Sequence, residues 1–140
     1  MAIKIIIHNV VLNDDKILLL KRASTVSNLP NYWDIPGGSL EEGEDLAFGV
    51  VRETIEESGL VTSDPELFYY FANYEATKGL HYITIFFVSN YISNDVVLRP
   101  DEHQEFKWVS ITDLTTFSKE NDVPDYFDSL AKRIVGRFAQ

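Results

Sequence analysis

Glu53, Glu56 and Glu57 stand three and four residues apart, and on a helix turning about 100° per residue the three carboxylates share one face. Glu56 lies roughly 60° to one side of Glu53, and Glu57 roughly 40° to the other. Like charges at these spacings destabilise a helix by about 0.2–0.5 kcal/mol per pair, so something cationic belongs among them. Hard oxygen donors suit Mg²⁺ or Mn²⁺, which bind a few carboxylates and keep other positions for water and phosphate. An arbitrary run of this kind is more simply a solvated acidic face. The flanking residues decide between the two.

Gly38, Glu44, Arg52, Glu53, Glu56, Glu57, Gly59 and Leu60 fall at a fixed spacing: Gly, five residues, Glu, seven residues, Arg-Glu, then Glu-Glu two residues on and Gly-aliphatic at the end. This pattern resembles, position for position, the box of the Nudix hydrolase family. Its one soft departure is Thr54 at a usually aliphatic position, where the Thr methyl can substitute. The likeness extends to Trp33-Asp34-Ile35-Pro36-Gly37-Gly38 before the box and Phe106-Lys107-Trp108-Val109-Ser110 after it.

The resemblance implies a single-domain α/β/α sandwich with a mixed β-sheet, spanning residues 1–140. It also implies a metal site built from Glu53, Glu56, Glu57 and the Gly38 carbonyl oxygen. A glycine there lets a backbone carbonyl approach a cation with no side chain intervening. Glu44, about half a helical turn out of phase with the triad, takes a supporting role, accepting backbone N–H groups or pairing with Arg52. Arg52 is placed to orient Glu53 through paired hydrogen bonds. Gly49 costs about 1 kcal/mol inside a helix, which close approach of the preceding loop would explain and mere tolerance would explain equally.

Outside the box, Glu102 lies on a loop where members of the family supply a further metal ligand or the general base, with Glu105 as its rival. Lys21 and Arg22, with Gly37, are assigned to the substrate, the two cations reaching its phosphates. His103 reads as an ordinary surface histidine. Tyr32, Trp33, Phe71, Tyr74 and Tyr82 include candidates for stacking on a nucleobase.

The elements that must position these groups follow from apolar patterning. Ile3 to Leu12 reads as a strand buried on both faces, with Asn13-Asp14-Asp15 turning it into a second strand at Ile17 to Leu20. Residues 23–33 read as a polar loop, Trp33-Asp34-Ile35 as a short strand, and Pro36-Gly37-Gly38 as a sharp break. A helix over 45–58 is expected to bury Ala47, Phe48, Val51, Ile55 and Ser58, with Gly59 as its stop. Leu67 to Tyr74 and Tyr82 to Tyr91 form a longer hairpin, and Phe106 to Val109 a short strand. Ser110 and Thr112 are candidate caps for a helical turn, and a last amphipathic helix spans 124–138.

Composition bounds the function. The 140 residues are 45% apolar, enough for one core, and contain no cysteine, which excludes thiolate metal sites and cysteine nucleophiles. Twenty-two acidic against twelve basic residues give a formal charge of −10, which repels nucleic acid polymers and anionic membranes. A small anionic substrate meets the same repulsion unless divalent cations neutralise the site. The N-terminus has neither a membrane span nor a cleavage pattern, so a cytoplasmic protein is expected. Its oligomeric state, monomer or homodimer, is open.

The expected activity is Mg²⁺-dependent hydrolysis of a phosphoanhydride in a nucleoside diphosphate linked to X, with Mn²⁺ as an alternative metal. A (d)NTP is the first choice of substrate, as in MutT-like members of the family. ADP-ribose or a nucleotide sugar is the second, and a non-catalytic nucleotide-binding regulator is the reading from another class. The proton acceptor is Glu53 or Glu102.

Overall fold

Isoleucine and valine at the centre of the N-terminal stretch build the middle of the sheet. In the computed structural model, which describes residues 2–139, β1 (Ala2–Asn13) runs parallel to β7 (Leu80–Ser93) from Ala2 to Leu12. Every other pairing is antiparallel. β2 (Lys16–Arg22) returns beside β1 through a turn in which Asp14 takes φ 54. β3 (Trp33–Asp34) and β8 (His103–Ser110) flank β2. β5 (Val61–Thr62) and β6 (Glu66–Glu75) flank β7.

Alternation along β1 and β7 assigns the two faces. Val10 and Phe86 point to one side, where α2 (Leu114–Glu120) and α3 (Phe127–Phe138) supply Leu114, Phe127, Leu130 and Ile134. Ile7 and Phe87 point to the other and meet Val50 of α1 (Leu46–Ser58). Helices on both faces of a mixed sheet make the expected α/β/α sandwich. Among the described residues, no helix is long and apolar enough to cross a membrane.

Four local expectations change. Only Ile7 to Val11 of β1 are fully buried; Ala2, Ile3 and Lys4 run out beyond the packed helices. Gly37 and Gly38 do not break the chain but form β4 (Gly37–Ser39), antiparallel to β1 with Gly38 opposite Ile7. On α1, Phe48 and Ile55 are 65% and 54% exposed, and the buried strip is Gly49, Val50, Thr54, Glu57 and Ser58. The 3-10 turn Ile111–Asp113 that leads into α2 carries no side-chain cap bond from Ser110.

The rotation of α1 has a polar cause. Asn9, buried in β1, donates through Nδ2 to Thr54 Oγ1 at 2.9 Å and accepts from Ser89 Oγ at 2.9 Å. Thr54 in turn donates to Val50 O at 2.8 Å. A buried amide left unpaired costs about 1–3 kcal/mol, comparable to leaving one large apolar side chain in water, so the amide bond competes with the apolar period in setting which arc faces the sheet. The hydroxyl of Thr54, not its methyl, is therefore what the helix uses.

Candidate active site

α1 is fixed at both ends. Asp45 accepts from Phe48 N at 3.3 Å as N-cap, and Gly59, at φ 71, donates its N–H to Ile55 O at 2.9 Å. Between these caps Glu53 and Glu57 project toward β4. Glu57 is only 8% exposed and accepts from Gly37 N at 2.8 Å. Glu53 lies directly over Gly38, where an added Cβ would come within 2.6 Å of its Oε1. Glu56 is the outermost of the three, with a side chain 36% exposed.

Arg52 sits among these carboxylates. Its Nε and Nη2 engage both oxygens of Glu44, at 2.5 and 2.8 Å, while Nη1 donates to Glu53 Oε1 at 2.9 Å and to Glu56 Oε2 at 3.2 Å. The paired hydrogen bonds thus go to Glu44, and Glu53 receives a single one. Glu44 also accepts from Glu41 N at 3.1 Å, closing the loop that enters the helix. Gly49 is required by this closure: a Cβ there would meet Glu44 Oε1 at 2.7 Å and Ile7 Cδ1 at 2.8 Å. Close approach of the preceding loop is the reason for the glycine.

Glu102 stands at the start of β8, its carbonyl accepting from Ala23 N at 2.8 Å. One of its carboxylate oxygens, one of Glu57 and a ring nitrogen of His103 all lie within 4.8 Å of one another. His103 is not a surface residue. β8 begins three residues earlier than Phe106, and its pairing with the end of β2, His103 opposite Arg22, encloses the ring to 6% exposure. No periodic signal marks so short an extension. Glu105, the rival to Glu102, is exposed and lies opposite Lys21 in the sheet.

The electrostatics describe a site short of positive charge. Burial pushes the Glu57 carboxyl up to about 8, against the Gly37 hydrogen bond and reinforced by the neighbouring charges of Glu53, Glu102 and Asp34. Burial also raises Glu53, opposed by Arg52. The Arg52 hydrogen bond holds Glu44 down at about 2, so the one guanidinium is shared between Glu44 and the triad. Burial lowers His103 to about 4, keeping its imidazole neutral. Buried carboxylates with one shared arginine are a donor set that fits a divalent cation.

β4 also borders a cavity of about 1080 Å³, lined by Gly37 and Gly38 and by His8, Arg22, Phe71, Tyr82 and Tyr126. Arg22 donates through Nε to Asn28 O at 2.8 Å at its rim. Lys21, across a register shift in the pairing with β8, lines a different recess. Its Nζ is 6.0 Å from the Trp33 ring, in a separate cleft of about 260 Å³. Of the aromatic candidates, Phe71 and Tyr82 reach the large cavity, Trp33 is core, Tyr32 lines neither recess, and Tyr74 is exposed against His81. No local pattern marks the floor of the cavity. There the Tyr126 hydroxyl donates to Asp34 Oδ2 and lies 3.4 Å from His8 Nε2, and burial raises both the carboxyl and the phenol.

Comparison with known proteins agrees with this architecture. The MutT protein of Methanosarcina mazei Go1 superposes with a TM-score of 0.82 at 27% identity, covering 99% of this chain and 97% of that one. A MutT Nudix hydrolase of Burkholderia pseudomallei shares the fold at a TM-score of 0.80 and 21% identity, over 95% and 98% of the two chains. By sequence, the chain is 28% identical over 122 residues to an ADP-ribose pyrophosphatase of Methanocaldococcus jannaschii, covering 86% of this chain and 70% of that protein. It is 48% identical over 48 residues to the m7GpppN-mRNA hydrolase of Bos taurus, but that match spans 34% of this chain and only 16% of the relative. The NUDIX domain model matches residues 4–132, and the chain belongs to the Nudix family.

Proposed function

We propose that this Nudix domain is a divalent-cation-dependent hydrolase of a nucleoside diphosphate linked to X, with a (d)NTP as substrate. The observation that carries the reading is the convergence of Glu57 and Glu53 on Gly37 and Gly38, with Glu102 within 4.8 Å of Glu57, at the border of a cavity large enough for a nucleotide. Glu53, Glu56, Glu57, Glu102 and the Gly38 carbonyl would hold the cation, Mg²⁺ or Mn²⁺. When bound, it supplies charge neutralisation for the diphosphate and a more acidic attacking water.

The chain's own groups do the rest. Gly37 N–H holds one oxygen of Glu57 and leaves the other for the cation. Arg52 restrains Glu53 and Glu56 from one side, at 2.9 and 3.2 Å, so that neither carboxylate swings away under mutual repulsion. Glu53, half-buried with its pKa raised, is a better proton acceptor than a solvated carboxylate and takes the proton of the attacking water; Glu102 is the alternative acceptor. Arg22 would face the phosphates from the cavity rim, and Phe71 and Tyr82, which line the same cavity, would pack against the base. Lys21 has no part in this arrangement.

A second reading, hydrolysis of ADP-ribose or a nucleotide sugar, is favoured by the M. jannaschii relative and by a cavity with room for a second sugar. A panel of (d)NTPs, nucleotide sugars, ADP-ribose and dinucleoside polyphosphates, assayed with Mg²⁺ and with Mn²⁺, separates them. A nucleoside monophosphate and pyrophosphate from a (d)NTP is the expected product pair. Binding of nucleotides with no turnover of any would replace the enzyme by a nucleotide-binding regulator.

A further inference from the structure

His103 is buried beside Glu57 and Glu102, yet its Nδ1 has no hydrogen-bond partner. An orphaned buried nitrogen costs about 1–3 kcal/mol, and native folds keep few of them. One ring nitrogen of the same side chain lies within 4.8 Å of a carboxylate oxygen of each glutamate. Two carboxylates and a neutral imidazole at that spacing can all reach one cation placed among them.

We propose that His103 is a cation ligand, forming with Glu57 and Glu102 a mixed nitrogen–oxygen site. The proposal rests on the metal-dependent reading above and adds to it a nitrogen donor that the box glutamates do not provide. Backbone bonds anchor both consecutive residues: Ala23 N to Glu102 O at 2.8 Å, and His103 N to Arg99 O at 2.8 Å. The donors therefore sit on a strand start tied at two points, not on a free loop. The consequence is metal choice. Mg²⁺ binds through oxygen and water, while imidazole suits transition metals such as Zn²⁺, Fe²⁺ and Ni²⁺, so this site favours a transition-metal ion over Mg²⁺.

The test is pulsed electron paramagnetic resonance of untagged, metal-free protein loaded with Mn²⁺ in the absence of nucleotide. Directly bound imidazole gives ¹⁴N modulation, expected in the wild type and in His8→Gln and His81→Gln, and lost in His103→Gln. The same substitution should weaken Mn²⁺ binding about tenfold or more and Mg²⁺ binding by less than about twofold. Bound Mn²⁺ without ¹⁴N modulation in the wild type overturns the His103 assignment and leaves metal-dependent hydrolysis standing. Failure to bind any Mn²⁺ overturns both. Should His103→Gln not fold, ¹⁵N-histidine spectra of the wild type with Zn²⁺ decide: a shift of the His103 ring nitrogens supports the site, and unchanged resonances refute it.

Discussion

Replacing Glu57 by glutamine should make the metal-free protein more stable, and by an amount that depends on pH. In the fold the carboxyl is held at about 8 against an ordinary 4.5, so between those values the native state binds a proton that the unfolded chain has released. Stability from this group is fully present below about pH 4.5 and is lost as pH rises toward 8, since the native state binds more protons in that window. At about 1.4 kcal/mol per pH unit of displacement, the charge costs the fold about 3 kcal/mol at pH 7 and somewhat more at pH 9. Gln keeps an acceptor for Gly37 N–H and carries no charge. Thermal unfolding of chelator-treated protein from pH 5 to 9 should show wild-type melting falling with pH and the variant nearly level. The variant should lead by about 10 °C at pH 7, given about 3–4 °C per kcal/mol for a domain of this size. Saturating Mg²⁺ should reverse the order, because the cation stabilises only the protein that binds it. A flat wild-type profile, or a variant that melts no higher at pH 8, would refute the idea that Glu57 is an uncompensated buried acid.

Further outcomes are as concrete. Glu56→Gln should abolish turnover at unchanged or higher melting temperature; full activity in that variant sinks the proposed metal site. Gly38→Ala drives a Cβ to within 2.6 Å of Glu53 Oε1, and displacing that carboxylate should lower kcat by about a hundredfold in an otherwise folded protein. Arg52→Lys gives up the two-oxygen grip on Glu44, so kcat should fall about tenfold or more while circular dichroism stays native. Thr54→Val strands Asn9 Nδ2 and should cost about 1–3 kcal/mol in urea unfolding; Asn9→Val with Thr54→Val should cost less than the two singles summed.

How far the sequence carried differs from residue to residue. Helical spacing alone put Glu53, Glu56 and Glu57 on one face, because that geometry is local and independent of what the helix packs on. Which arc of α1 faces the sheet was not local. Phe48 and Ile55 satisfy the apolar period, but the observed arc is the one that pairs Thr54 with the buried amide of Asn9 on β1, and nothing in residues 45–58 reports the existence of Asn9. Lys21 and Arg22 show the same limit in a strand: both sit at the right end, and only the register of β2 says that Arg22 alone turns to the cavity. His103, Asp34 and Tyr126 were missed because each takes its meaning from a neighbour at least ten residues away in sequence, across a sheet edge or from a different element.

Strand β4 is a party wall. Gly37 and Gly38 line the cavity and also hold Glu57 and Glu53, so any substitution there is felt by ligand and carboxylates at once. Binding strength and turnover are therefore not separable variables at residues 37–39. An effort to retune this protein toward a new substrate would do better on the facing wall, at Phe71, Asn73 and Tyr82, where a change of shape reaches the ligand without passing through the carboxylates.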